Sequence, residues 1–156
     1  MKVALLLILT SSLVLGIPVP EFEKKGNLYN HCFMKKTSKL NCYMVSEALK
    51  YEIERFLPAE NGAYYKVTES GMSESFQHFI GGTVQNGVWA QDFLIVLFEQ
   101  GDLCYIDAKS QSKLPSFLGD SGMNFCNLAI PLGFWNFVNE ELEDCPYALE
   151  NSLNCF

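Results

Sequence analysis

An N-terminal apolar run followed by six cysteines constrains this sequence more than any other feature. The chain begins with Met1 and Lys2, then has an apolar run over residues 3–9 and small residues up to Gly16. A positive start, a short apolar core and small residues before a cleavage point are typical of a secretory signal peptide. The run is too short to span about 30 Å of hydrocarbon. We therefore expect residues 1–16 to be removed and a soluble product to be secreted to the extracellular space.

The cysteine count predicts three disulfides in the secreted product. An even number of cysteines in an oxidising compartment is typical of a disulfide framework. Structural zinc sites use close pairs such as C-x-x-C, whereas the nearest cysteines here have nine residues between them, so we expect no metal. Six cysteines allow fifteen pairings, and the sequence alone does not choose among them. The six are Cys32, Cys42, Cys104, Cys126, Cys145 and Cys155.

The net charge limits the class of partner. Without Lys2, the chain keeps 10 Lys+Arg against 18 Asp+Glu, a net charge of −8. This charge disfavours nucleic acid and anionic membrane surfaces as partners. The remaining length of about 140 residues suits one domain with its own core. We expect residues 17–31 to form an extended arm, residues 32–145 the domain, and residues 146–156 a tail with an extra cysteine.

One amphipathic helix is predicted near the start of the domain. Asn41 is a good N-cap residue, and Pro58 ends the helix. Four apolar residues between them fall on one face at helical spacing. They are Val45, Leu49, Ile53 and Phe56.

Strand patterns follow this helix. Asn86-Gly87 is the strongest hairpin signal, and the apolar run over residues 93–98 predicts a central, well-buried strand. Further strands are predicted over residues 64–68, 75–84, 125–132 and from Trp135, with a polar loop over residues 107–124. We therefore predict an α+β fold, in which one N-terminal helix packs across a four- to five-stranded antiparallel sheet.

Two groups of residues add a family resemblance. Gln77, His78, Phe79, Ile80 and Gly81 follow the helix in a pattern similar to Gln-x-Val-x-Gly. Later, Trp135 lies nine residues after Cys126, is preceded by Phe134, and is followed by Cys145. The order resembles that of the secreted, type 2-like cystatins, which inhibit papain-like cysteine proteases.

The resemblance implies a fold, a mechanism and a set of contact residues. In that family two hairpin loops and an N-terminal segment form an apolar wedge that enters the protease cleft reversibly. Here the loops would be residues 77–81 and Phe134-Trp135, and Asn61 would block legumain, an asparagine-specific protease. The residues also have simpler interpretations. Trp135 could be a core or strand-end residue, Phe79 and Ile80 ordinary strand residues, and Asn61 a turn residue before glycine.

The resemblance also implies a disulfide pattern. It suggests Cys126–Cys145, which would join the last two strands. Cys155 is then the near candidate for Cys104, which leaves Cys32–Cys42 to attach the arm to the start of the helix.

The leading functional hypothesis is a secreted cysteine protease inhibitor. The alternative is a non-inhibitory cystatin-like protein that acts as an extracellular binding or structural module. A hydrolase or nuclease is disfavoured because His31 and His78 are not paired, the Gly-x-Ser-x-Gly motif is missing, and every cysteine is expected to be oxidised. We expect no enzymatic activity and no cofactor. The chain would be a monomer, or a dimer that exchanges the apolar strand of residues 93–98.

Overall fold

The fold is a single antiparallel sheet with two helices on one of its faces. The computed structural model describes residues 30–55, 63–87, 89–115, 122–133, 137–138, 140–143, 145 and 155. Its elements are β1 (His31–Ser38), α1 (Cys42–Arg55), β2 (Ala63–Met72), β3 (His78–Asn86), β4 (Trp89–Gln100), β5 (Leu103–Ser112), α2 (Met123–Gly133) and β6 (Glu140–Glu143). The strand order is β2-β3-β4-β5-β1-β6. The predicted α+β class with an antiparallel sheet is confirmed, but the described residues form six strands and a second helix.

Helix α1 forms where the sequence predicts it. The Asn41 side-chain oxygen accepts a hydrogen bond from the Met44 N–H at 2.8 Å, which is an N-cap. Val45, Leu49 and Ile53 are fully buried against the sheet. The predicted Phe56 contact and Pro58 stop lie outside the described residues.

The middle of the sheet also follows the sequence closely. A hairpin between β3 and β4 lies where the sequence predicts it, but Asn86 still belongs to β3 and pairs with Trp89, so the turn begins one residue later, at Gly87, whose φ is 58°. β4 is a central strand, as predicted, but only one of its faces is fully buried. The buried residues are Phe93, Ile95 and Leu97, which alternate with the half-buried Leu94, Val96 and Phe98.

Two strands were not predicted. Residues 107–112 belong to β5 rather than to a loop, and β1 pairs with both β5 and β6. The polar character of Ser110 and Ser112 hides the strand from a hydrophobicity pattern. Both serines face the core, where Asn124 of α2 hydrogen-bonds to them at 2.7 and 3.0 Å.

The predicted strand over residues 125–132 is wrong, because this segment forms α2. Phe125, Leu128 and Leu132 are buried at helical spacing. Pro131 lies inside the helix, and since it has no N–H it cannot bond the carbonyl of Asn127. The Tyr65 hydroxyl lies 3.4 Å from that carbonyl and donates to it instead. A contact from β2 therefore compensates for the proline.

All three predicted disulfide pairs are wrong, both Cys126–Cys145, which the resemblance implies, and the two pairs that were inferred from it. The bonds are Cys32–Cys145, Cys42–Cys104 and Cys126–Cys155. Sheet order explains the first, because β6 runs beside β1 and brings Cys145 to Cys32. It also explains the second, because Ser38 at the end of β1 pairs with Cys104, and α1 starts four residues later at Cys42. Cys155 instead attaches the tail to α2.

Within the described part of the chain, neither helix is long and apolar enough to cross a membrane.

Candidate protein-binding site

Two hairpin turns lie side by side at one end of the sheet. The turn between β2 and β3 covers residues 73–77, and the turn between β4 and β5 contains Gly101, whose φ is 62°. β3 and β4 are neighbours in the sheet, with His78 opposite Leu97, so the two turns are adjacent. Helix α1 also begins at this end, because it follows β1, whose last residue, Ser38, pairs with Cys104.

The β2–β3 turn displays an aromatic ring to solvent. The Ser73 N–H donates to the Gln77 carbonyl at 2.8 Å, and the Phe76 N–H donates to the Ser73 carbonyl at 3.0 Å. The Ser73 hydroxyl accepts from the Gln77 N–H at 3.1 Å. These bonds fix Phe76 at a φ of 58° with 79% of its surface exposed. A left-handed conformation costs a residue other than glycine about 1–2 kcal/mol. The turn thus keeps an unfavourable conformation with an exposed ring.

Helix α1 adds further exposed apolar side chains beside this turn. Tyr43, in its first turn, has its ring centroid 6.0 Å from that of His78 at the start of β3. Met72 pairs with His78 across the β2–β3 ladder and is exposed. We call this set the hairpin-end surface. It consists of Leu40, Tyr43, Met44, Met72 and Phe76, all of which are exposed.

A shallow groove runs from this surface between α1 and β2. Its volume is about 510 Å³, and Tyr43, Met72 and His78 line the end nearest the turn. Glu47 and Lys50 of the helix and Ser70 of the strand line its length. The groove can therefore receive an extended side chain or a short peptide segment next to the exposed Phe76 ring.

Acidic residues surround the hairpin-end surface. Glu47, Glu74, Glu99 and Asp102 are exposed around it, against Lys39 and the half-buried Lys50. Glu99 also supports the start of α1, because its carboxylate accepts a hydrogen bond from the Cys42 N–H at 3.3 Å. The surface combines an apolar centre with a mostly negative border, which suits a partner of positive charge.

The first predicted contact loop divides into two parts. Gln77 and His78 are half-buried and lie at the turn, next to Phe76. Phe79 and Ile80 are 1% and 0% exposed within β3, and Gly81 is also buried. The contact role predicted for these last three residues is wrong, and their interpretation as strand residues fits. The apex of the loop is Phe76, one residue before the predicted segment.

The second predicted contact loop, Phe134 and Trp135, lies outside the described residues, as does Asn61. Nearby residues on both sides of Phe134-Trp135 are described. The Leu132 carbonyl accepts from the Lys36 ammonium at 3.3 Å, and the Val138 N–H donates to the Thr37 carbonyl at 2.9 Å. Leu132 and Val138 therefore both hydrogen-bond to residues of β1, which lies three strands away from β3 in the sheet.

Sequence patterns gave no direct signal for Phe76. A strand was predicted from residue 75 onward, and this placed the ring in a regular element. The available clue is the segment from Ser73 to Ser75, whose hydroxyl groups favour turns. The two hydroxyls lie 3.0 Å apart in the turn.

No family model matches this sequence, and neither a curated protein nor a solved structure matches it. Within the described part of the chain, no group of three or more potential metal ligands occurs. The chemistry of the hairpin-end surface therefore carries the functional argument.

Proposed function

We propose that this protein is a secreted binding domain that inserts its β2–β3 turn into an apolar cleft of a partner protein. One observation carries the proposal, namely that Phe76 is 79% exposed in a left-handed conformation. A strained residue at a protein surface is a recognised sign of function. Large aromatic side chains also supply much of the energy at protein interfaces.

The negative charge of the protein suggests that basic residues surround the cleft of the partner. Acidic side chains border the hairpin-end surface, and the whole chain has a net charge of −7. A partner with basic residues around an apolar pocket would attract this surface and orient it during the encounter. Export is part of the proposal, and it is supported by the signal-peptide pattern and by three disulfides that use all six cysteines.

Inhibition of papain-like cysteine proteases is a more specific form of the same proposal. It is favoured by the position of Gln77 at the turn and by the adjacent β4–β5 turn, since two neighbouring turns form an edge that fits a cleft. This edge differs from the wedge that the resemblance implies, because Phe76 replaces the buried Phe79 and Ile80 at its apex. The role of Asn61 against legumain stays a prediction.

Site-specific photo-cross-linking tests the binding surface. A photoreactive amino acid placed at Met72 should cross-link one partner protein from the extracellular fluid of the producing tissue, and Phe76→Ala should reduce that product about 30-fold, as for an interface hot spot. The matched control is the same amino acid at Tyr64, an exposed residue at the opposite end of β2. Equal cross-linking from Tyr64, or a product that Phe76→Ala leaves unchanged, would contradict the proposal.

Titration against papain and a cathepsin tests the specific form. If the protein inhibits, Phe76→Ala should weaken inhibition about 30-fold, whereas Tyr64→Ala should leave it unchanged. A complete lack of inhibition at micromolar concentrations would remove the protease proposal. It would leave the cross-linking result to decide whether the surface binds another protein.

A further inference from the structure

One edge of the sheet is open next to the groove between α1 and β2. β2 is the first strand in the sheet order, and within the described part of the chain no strand lies beyond it. A bulge between Val67 and Glu69 interrupts this edge, and the opposite edge strand, β6, has only four residues, three of them glutamates. Bulges, charges and short strands discourage the addition of another strand. Residues 70–72, which we call the open-edge stretch, carry neither a bulge nor a charge.

The ladder register shows which main-chain groups of the open-edge stretch are available. Directly after it, the Ser73 N–H donates to the Gln77 carbonyl across the β2–β3 ladder. Along an antiparallel strand, successive residues direct their N–H and C=O groups to opposite edges. Gly71 therefore bonds to β3, whereas Ser70 and Met72 direct both groups to the open edge. This is the alternation that an added strand uses.

The groove extends to this main chain. Side chains of consecutive strand residues point to opposite faces, yet Ser70, Gly71 and Met72 all line the groove. Because Gly71 has no side chain, its main chain supplies the lining atoms. Across from the strand, Ser46 of α1 is also small, and the groove keeps a volume of about 510 Å³. An added strand therefore has room for its side chains between the helix and the sheet.

Helix α1 supplies the chemistry that would select one of these side chains. Tyr43 and Glu47 are one helical turn apart and both line the groove. Within the described part of the chain, neither Glu47 nor Lys50 forms an ion pair. An arginine can stack its planar guanidinium group on an aromatic ring and bond a carboxylate at the same time. Since Lys50 lies further along the helix, the end of the groove at Tyr43 favours the positive charge.

We propose that an extended segment of the partner adds to β2 at the open-edge stretch and places an arginine between Tyr43 and Glu47. The inference rests on the proposed function, because this segment borders the cleft that receives Phe76. In complexes formed by strand addition, main-chain hydrogen bonds give affinity and side-chain pockets give specificity. The net charge of −7 on the whole chain also attracts a basic segment.

Amide hydrogen exchange measured by NMR tests the strand addition. The probe is a short capped peptide in which threonine and valine alternate around a central arginine. With millimolar peptide, the Ser70 and Met72 amides should exchange more slowly, whereas the Gly71 amide, already bonded to β3, should not change. Unchanged exchange of Ser70 and Met72 would overturn the proposal.

Peptide variants separate main-chain binding from side-chain binding. Methylation of the peptide nitrogen that donates to β2 should weaken binding about 10-fold, through the loss of one hydrogen bond. Methylation of the next nitrogen, which faces away, should have no effect. Equal effects of the two methylations would overturn the strand addition.

A charge exchange tests the arginine. Glu47→Arg should weaken binding of the peptide about 10-fold, and a peptide with glutamate in place of arginine should bind this variant better than it binds the wild type. Glu54→Arg, at an exposed residue of α1 outside the groove, is the matched control and should change neither affinity. Equal effects of Glu47→Arg and Glu54→Arg would overturn the assignment of the arginine.

Two further results distinguish this inference from its alternatives. Slow exchange of Ser70 and Met72 in the free protein, together with a dimer in sedimentation, would overturn it, because a second copy would then occupy the edge. If the peptide fails to bind while the photo-cross-link from Met72 still depends on Phe76, the strand addition is wrong and the proposed function stands.

Discussion

Removal of the Cys42–Cys104 bond should lower the free energy of unfolding by about 4 kcal/mol. The bond joins residues 62 positions apart, and the chain-entropy relation gives this value for a loop of that length. It also fixes the first turn of α1 to β5, and both cysteines are buried. The double variant Cys42→Ala/Cys104→Ala should therefore unfold at a much lower urea concentration than the wild type.

The matched control removes the bond with the shortest loop. Cys126 and Cys155 are separated by 29 positions, and the same relation gives a loss of about 3.5 kcal/mol. We expect both variants to be destabilised, with the Cys42–Cys104 variant the less stable. A loss below about 1 kcal/mol for Cys42→Ala/Cys104→Ala, where the relation expects several, would contradict the pairing. So would a non-reducing peptide map that joins Cys42 to Cys32.

Gly82→Ala should lower the free energy of unfolding by about 3 kcal/mol, at the upper end of the usual cost of overpacking. A methyl group at Gly82 would overlap the Lys66 carbonyl oxygen, and it would lie 2.8 Å from the Phe93 ring. The first contact is with backbone of the neighbouring strand, and the second is with a buried ring of β4. Neither can move without disturbing the pairing of β2, β3 and β4. Urea unfolding measures the loss.

Gly81→Ala is the matched control for this prediction. The three atoms nearest to its methyl group would all belong to the Glu69 side chain, the closest at 3.0 Å, and that side chain is exposed and can rotate away. We expect a loss of less than about 1 kcal/mol, the low end of the cost of overpacking, because the flexible Glu69 side chain can give way. Equal losses in the two variants would contradict the predicted clash at Gly82.

Helix α1 and the hairpin between β3 and β4 were predicted correctly because the residues that specify each of them are close together in the sequence. Asn41 and the 3.6-residue spacing of Val45, Leu49 and Ile53 specify α1 within one stretch of chain. The hairpin between β3 and β4 was located for the same reason, because the positive φ of its turn depends on Gly87 itself.

Long-range pairing could not be predicted in this way. The position of β1 between β5 and β6 depends on residues about 70 and 110 positions away, and the disulfides follow from that order. A resemblance based on the Cys126–Trp135–Cys145 spacing gave the wrong pairs. Segment 125–132 is ambiguous because a short apolar run with a proline fits a strand as well as a helix.

The candidate site was located only approximately from sequence. The predicted segment began at Gln77, directly beside the true apex. Phe76 was missed because sequence patterns assign aromatic residues to strands, and its left-handed conformation depends on the hydrogen bonds of Ser73.

The most direct test of the central claim is the free energy of unfolding of Phe76→Gly, compared with Phe76→Ala. If Phe76 is displayed for contact and does not support the fold, glycine should relieve the left-handed strain and stabilise the protein by about 1 kcal/mol. Alanine keeps that strain and should leave the stability within about 0.5 kcal/mol of the wild type. A loss of more than about 1 kcal/mol in both variants would contradict the account, because losses of that size come from buried contacts rather than from an exposed ring.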